Sequence, residues 1–189
     1  PRSFFIPKDI NGDSITKYLN GSWNFKLFKN DELVPKDFFK IDFGKDDWQK
    51  IPVPSNWQFH TDDFPLYTNI VYPYEINPPY MPKEYNPVGL YHREFTVDKD
   101  WNDKQIFIHF GAVNSAFYLW INGEFVGYSE GSKTPAEFDI SKYLNGSVNQ
   151  LVMKVIRWSD GTYIEDQDFW RLSGCLLYTS DAADDLVGV

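Results

Sequence analysis

Hydrophobic and polar positions alternate along this chain in short runs, and each run ends in a turn signal. In Gly21-Ser22-Trp23-Asn24-Phe25-Lys26-Leu27-Phe28 a period of two puts Trp23, Phe25 and Leu27 on one face and Asn24 and Lys26 on the other, which predicts a first strand. Further β-like runs follow over residues 90–97, 105–110, 116–121, 124–128, 136–140 and 150–158; in the second of these Ile106, Ile108 and Phe110 alternate inward. Asn122-Gly123 joins two runs as a hairpin, because both turn positions tolerate positive φ. A short helical turn is expected over 141–144, ended by Asn145-Gly146. No long segment has helical periodicity and no internal repeat is present, so about eight antiparallel strands are expected, in an all-β sandwich of jelly-roll type.

One stretch breaks this rhythm. Pro52, Pro54, Pro65, Pro73, Pro78, Pro79, Pro82 and Pro87 crowd residues 51–87, removing ladder donors and disfavouring both helix and central strand. The same stretch holds Trp57, Phe59, Phe64, Tyr67, Tyr72, Tyr74, Tyr80 and Tyr85, a composition foreign to disordered segments, so a long ordered excursion is predicted. Such excursions are often functional.

The chain has 189 residues, enough for one sizeable core. Its 18 Lys plus Arg against 27 Asp plus Glu give a net charge of −9, which argues against nucleic acid or an anionic membrane as partner. No apolar run approaches the roughly 18 residues that span a bilayer. The start, Pro1-Arg2-Ser3-Phe4-Phe5-Ile6-Pro7, lacks the apolar stretch of a secretory signal and is not a methionine. A cut or processed N-terminus and a cytoplasmic location are the expectations. Cys175 is the single cysteine, which excludes an internal disulfide, and His60, His92 and His109 are too scattered for a close-spaced metal pair. Aromatic residues make up 19% of the chain; most are expected to fill a β core, and some to offer flat faces to a sugar.

The densest polar cluster is the run from Arg157 to Arg171, which follows the strand predicted to be most buried. Asp160, Glu165, Asp166 and Asp168 are hard oxygen donors, but their spacing is not that of a calcium loop. Glu165 and Asp168 read as a glycosidase dyad would need carboxyl groups roughly 5–5.5 Å apart for retention or 6.5–9.5 Å for inversion. Taken alone, these residues fit best a solvated acidic loop neutralised by Arg157 and Arg171. In the excursion, Asn69 carries a donor and an acceptor suited to a vicinal hydroxyl pair, although a loop asparagine more often bonds its own backbone. Neither a Gly-x-Ser-x-Gly elbow, nor a phosphate loop, nor a His-Glu-x-x-His zinc motif occurs.

These residues also carry a family likeness. Leu19-Asn20-Gly21-Ser22-Trp23-Asn24-Phe25, Val53-Pro54-Ser55-Asn56-Trp57-Gln58, Tyr67-Thr68-Asn69-Ile70, Asn77-Pro78-Pro79, Val113-Asn114-Ser115-Ala116-Phe117, Gly127-Tyr128-Ser129 and the run from Arg157 to Gly174 lie in collinear order. Together they resemble the N-terminal sugar-binding domain of bacterial β-galactosidases of glycoside hydrolase family 2, over about residues 17–174. The resemblance implies a galactose-binding-domain-like jelly roll that precedes an immunoglobulin-like domain and a TIM barrel. The barrel carries both catalytic glutamates, so no catalytic residue is expected in this chain and the chain alone is expected to be inactive. By resemblance Asn69 contacts substrate hydroxyls, and Asp168 contacts the galactosyl group and helps to hold a sodium ion; magnesium, where bound, belongs mainly to the missing domains. Galactose or β-galactosides and the remaining domains of the parent are the implied partners, with a homo-oligomer of the parent a further expectation.

Residues 1–16 are read as an N-terminal extension, and 175–189 as an atypical tail, either a scar or a truncated closing strand. Two other functions fit the same residues: a free-standing carbohydrate-binding module, and a structural domain for subunit assembly. Direct catalysis by Glu165 and Asp168 ranks last.

Overall fold

The computed structural model describes residues 16–66, 71–101, 104–132, 134–165 and 175–177. Eleven strands are found among them: β1 (Gly21–Phe28), β2 (Gln49–Val53), β3 (Ser55–Asn56), β4 (Val88–Thr96), β5 (Phe107–Phe110), β6 (Ala112–Asn114), β7 (Ala116–Ile121), β8 (Glu124–Glu130), β9 (Ala136–Asp139), β10 (Val148–Ile156) and β11 (Cys175–Leu177). The only helical pieces described are 3-10 turns, one of them Ser141–Tyr143 in the stretch where a helical turn is expected. The result is an all-β sandwich.

One layer is a six-stranded sheet in the order β2-β1-β4-β10-β7-β8, in which every described pairing is antiparallel. The opposing layer comes in two pieces, β3-β11-β6 and β5-β9. Alternation decides what lies between them: Trp23 and Phe25 of β1, Tyr91 of β4, Leu151, Met153 and Val155 of β10 and Phe117 and Leu119 of β7 share one core with Ile108 and Phe110 of β5 and Val113 of β6. Asn122 and Gly123 take φ of 51° and 83° between β7 and β8, the conformation that Asn-Gly favours in a two-residue hairpin.

The outer face of the large sheet is also covered. Phe38 and Trp48, in the segment between β1 and β2, pack on Leu90 and Val152, with Phe39 stacked on Trp120 at 5.5 Å and 9°. Residues 151–153 are therefore buried on both faces, and Leu151-Val152-Met153 forms a continuous apolar run within β10. The prolines bar a central strand but permit an edge: β2 contains Pro52 and pairs only with β1 at the border of the sheet. The extra short strands β3, β6 and β11 pair with one another, and β11 lies in the segment set apart above as a tail.

Two positions make this packing testable. A Cβ on Gly89 would stand 2.6 Å from the Trp57 ring and 2.7 Å from Phe25, so Gly89→Ala should lower unfolding free energy by about 1–3 kcal/mol in urea titrations. His92 is buried between Asn24 and Gln150, at 2.9 and 3.0 Å, and burial, with Lys45 and Lys50 nearby, pushes its pKa down to about 4. The unfolded chain binds that proton near pH 6.5 while the native imidazole resists it until about 4, so this group lowers stability progressively as pH falls through that window and adds no further loss below it. Wild type should lose more stability than His92→Gln between those limits, and equal losses would exclude the imidazole as the cause.

Candidate functional site

The loop after β10 and the proline-rich excursion are far apart in sequence and joined in the fold. Arg157 is fully buried at the end of β10, and its Nη1 donates to Asp63 Oδ1 at 2.6 Å while Nη2 donates to the Phe64 carbonyl at 3.0 Å. The rest of the Asp63 carboxylate is used as well: Trp57 Nε1 donates to Oδ2 at 2.6 Å, Gln58 Nε2 to Oδ2 at 3.2 Å, and the Tyr85 hydroxyl to Oδ1 at 2.6 Å. Burial, and then the bond to Asp63, push the Tyr85 hydroxyl up to about 12, so it remains a donor at neutral pH. Burial pulls the Arg157 guanidinium below its ordinary value while Asp63 and Tyr85 act in the opposite direction, and an arginine stays charged throughout the working range.

Around this ion pair the two segments interleave. Asn86 clamps the Trp158 backbone with both ends of its amide, Nδ2 to the carbonyl at 2.9 Å and Oδ1 to the N–H at 3.0 Å. Tyr74 packs on Trp158 at 4.9 Å and Tyr72 on Tyr163 at 5.4 Å between centroids. The Tyr163 hydroxyl donates to the Tyr80 carbonyl at 2.9 Å and accepts from the Asn77 N–H at 3.2 Å, and the Tyr72 hydroxyl donates to the Tyr163 carbonyl at 3.3 Å. The excursion is thus held in place by the segment after β10.

Asn69 and Asp168, the residues singled out for sugar contact, lie outside the described residues, as do Asp166 and Arg171. The described residues on either side of them do meet, through Tyr72 and Tyr163. Two readings of the acidic run change. Arg157 does not neutralise that loop from its surface; its partner is Asp63, buried with it. Glu165 is held by Ser132, whose N–H donates to Oε1 at 2.7 Å and whose hydroxyl donates to Oε2, so both carboxylate oxygens fasten the loop to the turn after β8. That is an anchoring role rather than half of a dyad. The histidines sit on separate elements with separate partners: His60 Nε2 lies 2.7 Å from Ser55 Oγ, His109 Nδ1 lies 3.0 Å from Glu137, and His92 faces two amides. Among the described residues no three His, Cys, Asp or Glu side chains gather to hold a metal ion.

Sequence reasoning missed Asp63. One signal was available, an acidic residue among the aromatic and proline residues of an excursion predicted to be ordered, but nothing local names its partner 94 positions away. The pair is testable as a unit. Asp63→Ala leaves a buried guanidinium unpaired and should cost about 3–5 kcal/mol of stability, whereas the double replacement Asp63→Leu with Arg157→Met should recover most of that loss. Urea midpoints for Asp63→Leu, Arg157→Met and the double would show it, and additive losses would mean that the two groups act independently.

Three comparisons bear on identity. The model of the family "Glycosyl hydrolases family 2, sugar binding domain" matches residues 16–180. The β-galactosidase of Priestia megaterium is 52% identical over 160 residues, which is 82% of this chain and 16% of that protein; that of Psychromonas ingrahamii is 48% identical over 174 residues, 89% of this chain and 17% of that protein. Among solved structures, a calcium-binding mutant of Bacteroides uniformis β-glucuronidase 2 aligns with a TM-score of 0.63 at 23% identity, over 86% of this chain and 17% of that one. Bifidobacterium dentium β-glucuronidase, complexed with coumarin-3-O-glucuronide, aligns with a TM-score of 0.55 at 23% identity, over 74% and 19%. The two solved structures bear out the sandwich, and the chain spans about one sixth of the length of the β-galactosidases it matches. On the family match, which runs from before β1 to beyond β11, this chain belongs to glycosyl hydrolases family 2, as a sugar-binding domain.

Proposed function

We propose that this domain supplies part of the galactoside site of a longer β-galactosidase and performs no bond cleavage by itself. The observation that carries the reading is about 50% identity to β-galactosidases over nearly the whole chain, in a piece spanning about a sixth of their length. Convergence of the excursion with the segment after β10 supports it, because those two segments contain Asn69 and Asp168.

In this reading Asn69 offers an amide that both donates to and accepts from neighbouring hydroxyls, and Asp168 offers an ionised carboxylate that accepts strong hydrogen bonds from the galactosyl group. A site built this way disfavours an epimer by leaving its own polar groups unpaired. Asp168 also contributes one oxygen ligand to a sodium ion, whose other ligands come from another domain of the parent. The nucleophile and the general acid/base belong to the rest of the parent enzyme. Rigidity is what this domain adds: the Arg157–Asp63 pair and the tyrosine cluster hold both segments before substrate arrives.

A hybrid tests this directly. With this chain in place of the matching segment of the Priestia megaterium enzyme, an aryl β-galactoside should be hydrolysed, and Asn69→Ala or Asp168→Ala should each lower kcat/KM by roughly ten- to a hundredfold, the worth of a hydrogen bond to a charged or closely fitted group. A folded hybrid whose kcat/KM is untouched by both changes would overturn the assignment. Turnover by the isolated chain, abolished in Asp168→Ala, would instead place catalysis here.

A further inference from the structure

On the outer face of the six-stranded sheet, beside the segment that covers Leu90 and Val152, a cleft of about 360 Å³ opens between the turn after β1 and the turn after β10. That volume lies at the lower end of the roughly 300–1,000 Å³ typical of small-molecule sites. Tyr118 of β7 and Tyr128 of β8 line it side by side, their centroids 4.7 Å apart, with Tyr128 42% exposed. Asp31, Glu32 and Asp160 stand around them, and Trp158 lines the same cleft.

The walls are fastened. Asn30 Nδ2 donates to the Lys83 carbonyl at 3.0 Å, and its Oδ1 accepts from the Leu33 N–H at 3.3 Å. Opposite, Glu130 accepts from the Gly161 N–H at 2.6 Å and from the Tyr128 hydroxyl at 2.6 Å, which fixes that ring against the turn. Lys154 lies 4.8 Å over the Tyr118 ring and donates to Asp31 at 2.9 Å, and Lys83 lines the cleft as well. Burial, then Asp31, Glu130 and Asp160, hold the Tyr118 hydroxyl above its ordinary pKa; burial, then the bond to Glu130, do the same for Tyr128. Both rings are neutral. The buried Trp158 indole N–H has no acceptor among the described residues.

We infer that this cleft binds a neutral hexopyranoside, the C–H face of the sugar lying on the exposed Tyr128 ring and its hydroxyls donating to the carboxylates of the rim. The exposed aromatic ring accepts the apolar face, and carboxylates accept the hydroxyl hydrogens. The excess of carboxylates repels an anionic sugar. The inference goes beyond the function proposed above, which rests on Asn69 and Asp168, because it is argued from the turn after β1 and from Tyr118, Tyr128 and Asp160.

The test is a titration of the isotope-labelled 189-residue chain with galactose, lactose and glucuronate, followed by amide NMR. Galactose or lactose should produce saturable shifts at the amides of Asp31, Tyr118, Tyr128 and Asp160, with a Kd in the millimolar range, and glucuronate should not. Tyr128→Ala, at a partly exposed ring, should raise that Kd at least tenfold while the spectrum stays dispersed, and Asp160→Asn should weaken binding without touching the aromatic floor. No saturable shifts at these amides, shifts unchanged in both variants, or equal binding of glucuronate would each overturn the inference. A response confined to residues 71–72 and 163–165 would assign the sugar to the converged segments instead, and would also overturn it.

Discussion

The buried contact between Arg157 and Asp63 is the constraint to which the rest of the binding side of this domain answers. A guanidinium with no exposure is costly to bury unless charge and hydrogen bonds surround it, and here one carboxylate, one backbone carbonyl and the donors that complete the carboxylate all come from the excursion. The ion pair is weak evidence for stability as such. Its consequence is positional, because the excursion lies against the end of β10 in an arrangement that satisfies every partner at once. The tyrosine and tryptophan packing around it follows from that arrangement, as does the clamp of Asn86 on Trp158.

A second dependence runs through the large sheet. Its central strand β10 is buried on both faces at Leu151-Val152-Met153, because the segment between β1 and β2 lays Phe38 and Trp48 over the side away from the sandwich core. That cover stops short of the end of the sheet near Tyr118 and Tyr128. The cleft exists where two devices, the aromatic cover and the loop after β10, each reach their limit. Loops held by a rigid scaffold are where binding residues concentrate, and this domain holds its loops by side chains rather than by ladders.

The acidic run shows how function and architecture divide one segment. Arg157 and Glu165 are both committed to structure, the first to Asp63 and the second to Ser132. Two tethers at either end of a turn leave the intervening residues positioned without further support from strands. Charge in such a loop is therefore not a sign of solvation alone, since the composition of the run is the same whether its carboxylates face water, a backbone N–H or a sugar.

Much of this protein is legible in its residues before any fold is known. The period of two in β1 and β5, the Asn-Gly turn and the absence of helical periodicity announce an all-β sandwich, and collinear motifs identify the family, because these signals are local and survive without knowledge of neighbours. The rest came only with the packed chain. That Asp63 meets Arg157, that Glu165 is spent on Ser132 and that Phe38 and Trp48 roof the outer face are long-range pairings with no period or spacing to reveal them. A carboxylate reads identically in sequence whether it anchors a loop or awaits a ligand; burial and partners settle which, and both exist only once the chain has folded.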